Sequence, residues 1–278
     1  MADDSSAELA FRDIAIVGGG CYGSFYAAQL ERARARGRVT YRRLLIVDRN
    51  PRCRAAVEGD GDRTLVASEW ADFFDEWLAA GAAEGDAIVP SPLMPHLMFD
   101  WLVRRARRRW PGRPVGAEPL AEEMRTPYDM AAPDGNRYAS YADWLCPTHC
   151  IEPAICPMIR APRTWDMSDA LGELTRRIGA TRSVAGPAIL RCRHRTFGVG
   201  MFDAAEVLAA DRLVADAGAP GRAVVIPVGT VSACHGAVGL LAIGASAGNE
   251  AGIFEAARAG GRGISGERSP YPGADEER

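Results

Sequence analysis

The sequence predicts an α/β fold that opens on a parallel sheet, and three features carry that expectation. A short apolar run, DIAIV at residues 13–17, leads directly into the glycine-rich turn GGGCYG. The turn opens a stretch, SFYAAQLERARARG, with the composition of a helix that stops at Gly37. A second apolar run at residues 44–47 then ends in Asp48, so the unit reads strand, turn, helix, strand. Parallel strands of this kind require a crossover helix, and the expected architecture is a Rossmann-like doubly wound parallel sheet.

Further elements follow in order. Residues 64–67 are a candidate third strand. Trp70, Phe73, Phe74, Trp77 and Leu78 recur at the spacing of one helix face, and core packing explains those aromatics. Residues 87–89 form a fourth apolar strand, and residues 95–109 the helix after it, with Pro95 near its first turn. The basic run at residues 104–109 sits where cations complement a helix C-terminus, and it reads as a solvated helix end. From 111 to 141 the chain is rich in Pro, Gly and charge without a period, and it reads as a connector. Beyond it are expected helices near 168–178 and 203–216, and strands near 188–191, 223–228 and 238–243. The resulting division is a dinucleotide-binding domain over residues 12–115, an α+β portion over 116–262 carrying a cysteine-rich loop, and disordered tails at 1–11 and 263–278.

Composition narrows the function. The 278 residues are 47% hydrophobic, and 33 Lys and Arg stand against 36 Asp and Glu for a net charge of -3. No global field draws such a chain to nucleic acid or to an anionic membrane. No apolar run reaches the length of a membrane span, and the acidic start lacks the basic region of a signal peptide. A cytoplasmic protein with a small-molecule substrate or redox partner is expected; a homo-oligomer is left open. No G-x-S-x-G elbow, Walker loop or H-E-x-x-H pattern is present, so acyl transfer, P-loop phosphoryl transfer and zincin proteolysis lack support.

Gly18, Gly20 and Gly23 match G-x-G-x-x-G, and each has a mechanical task. The first permits the tight turn, the second lets backbone approach a pyrophosphate, and the third lets helix and strand pack closely. The helix start presents unpaired N–H groups to phosphate. Asp48 stands where a carboxylate accepts both ribose hydroxyls and repels a 2′-phosphate, which favours NAD(H), although Arg49 beside it weakens the discrimination. The cofactor-binding candidates are therefore Gly18, Gly19, Gly20, Cys21, Tyr22, Gly23, Asp48 and Arg49. FAD is the second choice, since a flavin fold begins the same way but no later flavin motif follows. An empty or degenerate nucleotide site is the bland alternative.

The order GGGCYG, Asp48, the acidic EGDGD turn, the amphipathic helix at residues 70–78 and the AIV strand resembles the nucleotide-sensing domains of potassium-conductance regulators, the Trk/RCK type. The resemblance covers about 100 residues and implies a Rossmann fold binding NAD(H) or another adenine nucleotide at Gly18, Gly20, Gly23 and Asp48. It departs from that pattern at Pro90, Pro92 and Pro95.

The least ordinary stretch is residues 141–167, where Cys146, Cys150 and Cys156 are spaced C-x3-C-x5-C with His149 beside the second. Three thiolates from one proline-stiffened loop suit zinc or an iron–sulfur cluster, with His149 or a distant Cys completing the shell. The spacing matches no standard ferredoxin, zinc-finger or deaminase pattern, so buried free thiols and a redox cysteine pair stay open. Cys192 and His194 share a face if extended, whereas Cys234 and His235 point to opposite faces, so at most one of the latter pair joins them. His96 is a candidate acid/base group, with a structural histidine as the alternative. Together these features point to an NAD(H)-binding oxidoreductase or electron-transfer protein; a nucleotide- or redox-sensing regulator without turnover is the other reading.

Overall fold

The computed structural model describes residues 9–58, 63–81, 84–147 and 150–246. The first part of the chain runs β1 (Leu9–Val17), α1 (Cys21–Ala35), β2 (Val39–Asp48), α2 (Arg54–Val57), β3 (Arg63–Ala67), α3 (Trp70–Ala79), β4 (Ala87–Val89) and α4 (Leu97–Arg109). Next come β5 (Val115–Glu118), β6 (Tyr128–Ala131), β7 (Arg137–Ser140), β8 (Ile155–Cys156) and β9 (Ala161–Pro162). The last part holds α5 (Met167–Gly179), β10 (Ala188–Arg191), β11 (Arg193–Thr196), β12 (Val199–Asp203), α6 (Ala204–Gly218), β13 (Val224–Val231) and β14 (His235–Ile243). The fold is mixed α/β. No helix among the described residues is long and apolar enough to cross a membrane.

The first sheet has the order β11-β12-β4-β1-β2-β3. Its β4, β1, β2 and β3 are parallel, and β12 joins β4 antiparallel. Alternate residues of these strands face two different layers, because side chains alternate across a strand. Ile14, Ile16, Leu44 and Ile46 pack on Ala27 and Leu30 of α1. Ala15, Val17, Leu45 and Val47 pack on the other side with Phe74 of α3, Trp101 and Leu102 of α4, and Val207 and Val214 of α6. Strands buried on both faces read as unbroken apolar runs, which is why DIAIV and LLIV stand out in the sequence.

The second sheet has the order β10-β13-β14-β7-β6, with β5 also paired to β14. Ile226, Val228 and Leu241 close the helical layer from this side, while Val225, Val238 and Leu240 face Leu171, Leu174 and Ile178 of α5. The order of layers is thus α1, first sheet, α3 with α4 and α6, second sheet, α5.

Four expectations need correction. Residues 9–11, assigned to a tail, extend β1, because Leu9, Ala10 and Phe11 pair with Val39, Thr40 and Tyr41. The stretch 111–141, read as a connector, supplies β5, β6 and β7, each only four residues long. β14 makes strands of β5 and β7, pairing Val115–Glu118 on one part of its edge and Arg137–Ser140 on the next. The first sheet does not end near residue 115 either, since β11 and β12 complete it. The basic run, finally, is not simply solvated: Arg105 and Arg109 bind Asp211 of α6, and Arg108 binds Asp75 of α3 at 2.8 Å. These pairs tie the helical layer together. The expected tail at 263–278 lies outside the described residues.

Candidate functional site

The glycine turn connects β1 to α1. Gly18 takes φ +85°, a conformation that L side chains rarely adopt, and its N–H donates to the Val47 carbonyl at 2.9 Å. A Cβ on Gly23 would stand 1.8 Å from the Gly18 carbonyl oxygen, so the third glycine is required by the close packing of helix on turn. Gly19 is similarly hemmed in, since a Cβ there would meet Cys53 Sγ at 2.2 Å. Gly20 differs: it is exposed, and a Cβ on it would meet nothing within 4 Å. It is also the N-cap of α1, and no side chain caps that helix.

Asp48 ends β2 as expected, half-buried beside the turn. One carboxylate oxygen accepts the Gly19 N–H at 2.7 Å and the other the Asn50 N–H at 2.8 Å. Arg49 points outward, and its ion pair with Glu69 is long, 3.8 Å, and well exposed. Such a pair contributes little. An open cradle at Gly20, an uncapped helix start and an adjacent carboxylate fit the pyrophosphate and ribose of a dinucleotide.

The structure places the cysteine segment against this same turn. Cys21 and Tyr22 from the start of α1 line a cleft of about 620 Å³ whose other walls include Cys146, Cys150 and Cys156, together with Cys234 from the β13–β14 turn, His235 at the start of β14 and His194 of β11. A second cleft of about 430 Å³ shares Tyr26, His194, Gly198 and His235 with the first and continues to Pro90 and Ser91, just past β4. The three cysteines expected to act together do share a wall. Among the described residues, however, no group of three His, Cys, Asp or Glu side chains is placed to hold a metal ion, and His149 lies outside those residues. As arranged, the described donors do not fit a metal or a cluster.

A polar cluster forms where the two clefts meet. Glu152 has φ +53°, rare for a residue with a side chain, and its carboxylate accepts the Ala233 N–H at 3.0 Å and the Cys234 N–H at 3.4 Å. Burial pushes this carboxyl up, but the Ser232 hydroxyl, His194, the Ala233 amide and His235 outweigh burial and hold it below its ordinary value. His194 Nδ1 is 3.1 Å from the Cys150 carbonyl, and the His194 and His235 rings are 5.8 Å apart. Ser232 Oγ lies 3.4 Å from His235 Nδ1. Burial lowers His235, against the opposing pull of Glu152.

The thiols are shifted the other way. Burial and then Glu152 push Cys192 up to about 12, and burial pushes Cys234 to about 11 although the Trp165 indole N–H, 3.4 Å from its sulfur, opposes the shift. Cys146 is raised by burial and by its neighbours Cys150 and Cys156. These groups are thiols at neutral pH, so none of the three is a ready nucleophile.

Cys192 and His194 do share a face: a Cβ on Gly200 would meet Cys192 Sγ at 2.9 Å and the His194 ring at 3.0 Å. Cys234 and His235 both line the larger cleft, and the extended pairing that would set them on opposite faces is absent. Cys234 lies in the turn before β14, where strand alternation does not apply. His96 is a core residue. It is stacked on Phe99 at 4.8 Å, with Nδ1 3.1 Å from Thr230 Oγ1, and burial lowers it to about 3. Sequence reasoning missed Glu152 and Ser232; the only local signals were an acidic residue between two of the loop cysteines and a Ser two residues before Cys234.

A family model described as "Uncharacterized protein, C-terminal domain" matches residues 98–244, more than half of the chain. The chain belongs to this family, AF_1314_C. No curated protein and no solved structure matches it. The AF_1314_C region begins in α4 and ends just past β14, so it contains the cysteine segment, Glu152, His194, Ser232 and His235 but not the glycine turn. One wall of the larger cleft therefore comes from outside the AF_1314_C region, through Cys21, Tyr22, Phe25 and Tyr26.

Proposed function

We propose that the protein is an NAD(H)-binding oxidoreductase in which a Rossmann-type first sheet holds the dinucleotide and the cleft beside it receives the substrate. The observation that carries this reading is the shared wall: the first turn of α1 is at once the uncapped helix start of a glycine turn and the lining of a cleft containing Glu152, His194 and His235. Ligands of open parallel sheets bind at the carboxyl ends of the strands, and both Gly18 and Pro90 follow such ends.

Gly18, Gly19, Gly20 and the first residues of α1 would hold the pyrophosphate, and Asp48 the adenine ribose. The nicotinamide, when bound, supplies hydride chemistry. The chain's own contribution is positional: Tyr22 and Tyr26 line the cleft, and His194 and His235 stand in it beside Glu152. Use of the Cys146 loop as an electron-transfer centre would require Cys146, Cys150 and Cys156 to draw together around a metal.

The test is a titration of the purified full chain with NADH, NADPH and FAD, followed by turnover with an artificial electron acceptor. Saturable NADH binding with turnover supports the reading. Tight nucleotide binding without turnover supports a regulator instead, preferential FAD binding makes the protein a flavoprotein, and no binding of any of the three removes the nucleotide site.

A further inference from the structure

The larger cleft has a chemically two-sided lining. Tyr22, Phe25, Tyr26, Trp144 and Met158 supply apolar surface, and Tyr22, Phe25 and Met158 remain about 45% exposed. About 620 Å³ is the size of a small-molecule site. At its junction with the second cleft stands His194. Its Nδ1 lies 3.1 Å from the Cys150 carbonyl oxygen, which only accepts, so the Nδ1 position carries the proton. In the neutral ring Nε2 is an acceptor, and it has no hydrogen-bond partner among the described residues.

Two further observations indicate a built site. Gly200 leaves room for the ring, since a Cβ there would stand 3.2 Å from Nε2 and 3.0 Å from Cδ2. The Glu152 carboxylate nearby already accepts the Ala233 and Cys234 amides, and His194 stands beside it as a further acceptor on the cleft wall.

We propose that the cleft binds an apolar, ring-bearing alcohol, its hydrocarbon body against the aromatic wall and its hydroxyl donated to His194 Nε2. A ketone of the same shape offers only an acceptor to that nitrogen, and a hydrocarbon offers nothing. That the alcohol is also the molecule oxidised rests on the nucleotide reading; its binding does not.

The experiment titrates the full chain, without nucleotide, with tetralol, tetralone and tetralin, following the fluorescence of Trp144 and the other tryptophans. One buried hydrogen bond predicts that tetralol binds roughly tenfold more tightly than either analogue. In His194→Phe the three ligands bind alike, and nitrogen NMR of the wild type finds His194 protonated at Nδ1. Equal binding of all three to the wild type, no binding at all, or an alcohol preference that survives His194→Phe overturns the proposal. Gly200→Ala, whose new methyl would stand 3.0 Å from the ring and push it by a few tenths of an ångström, provides a second variant and should weaken the preference. An intact preference in a protein that binds no nucleotide refutes only the redox reading, and nucleotide binding without the preference refutes only this one.

Discussion

Gly20→Val separates nucleotide binding from folding at a single position. The backbone of Gly20, φ −73° and ψ −154°, is extended and needs no glycine, and its missing Cβ faces open space. The helix loses no side-chain cap, because it has none. A stability change below about 1 kcal/mol follows, or roughly 2–4 °C in melting temperature for a chain of this size. Binding responds differently, because the new side chain occupies the space through which a pyrophosphate reaches the backbone. Loss of two charge-assisted hydrogen bonds at about 1.5 kcal/mol each weakens NADH by roughly 100-fold. Gly23→Ala is the converse control: its Cβ would stand 1.8 Å from the Gly18 carbonyl oxygen. Forcing that contact apart costs about 3 kcal/mol, or roughly 6–12 °C. Calorimetric melting and NADH fluorescence titration of both variants read the two effects. A Gly20→Val protein with wild-type NADH affinity, or a Gly23→Ala protein as stable as wild type, would refute the reasoning.

Three other outcomes are expected. Asp48→Asn lowers NADH affinity about tenfold and raises the NADPH-to-NADH preference, because a carboxylate that repels a 2′-phosphate is gone; equal responses of the two cofactors in titration contradict this. Folding stability falls with acid through His96: its folded value near 3 lies below the ordinary 6.5, so under pH 6.5 the unfolded chain takes up a proton that the native core refuses. Between pH 7 and pH 5 that amounts to about 2 kcal/mol, and urea unfolding of His96→Asn should lack it; an unchanged slope excludes His96 as the source. Because the described donors fit no metal, protein purified without oxygen should contain neither stoichiometric metal nor acid-labile sulfide; iron and sulfide that vanish in Cys146→Ala/Cys150→Ala would contradict this.

Much of the first sheet was legible because its strands are buried on both faces. Ile14 to Val17 and Leu44 to Val47 are almost wholly enclosed, and no polar residue interrupts the apolar runs. α3 was legible from its periodic apolar face, and α5, expected near residues 168–178, is capped by Asp166, which accepts the Ser168 N–H at 2.8 Å. β5, β6 and β7 were not, since four-residue strands such as Val115–Glu118 owe their conformation to a partner more than a hundred residues away. The site divides in the same way. Gly18 and Gly23 follow from local mechanics, a positive φ at one and a Cβ-free close approach at the other. Glu152, Ser232 and His235 come together only when the β13–β14 turn meets the cysteine segment, a long-range contact that no spacing encodes.

The central claim is that the glycine turn and the cleft beside it form one site. Hydrogen exchange of the full chain with and without NADH tests it most directly. The account predicts slowed exchange at residues 18–24 together with slowed exchange at residues 150–158 and 232–235. Protection confined to another surface, or protection of the glycine turn with the cleft segments unchanged, would contradict it.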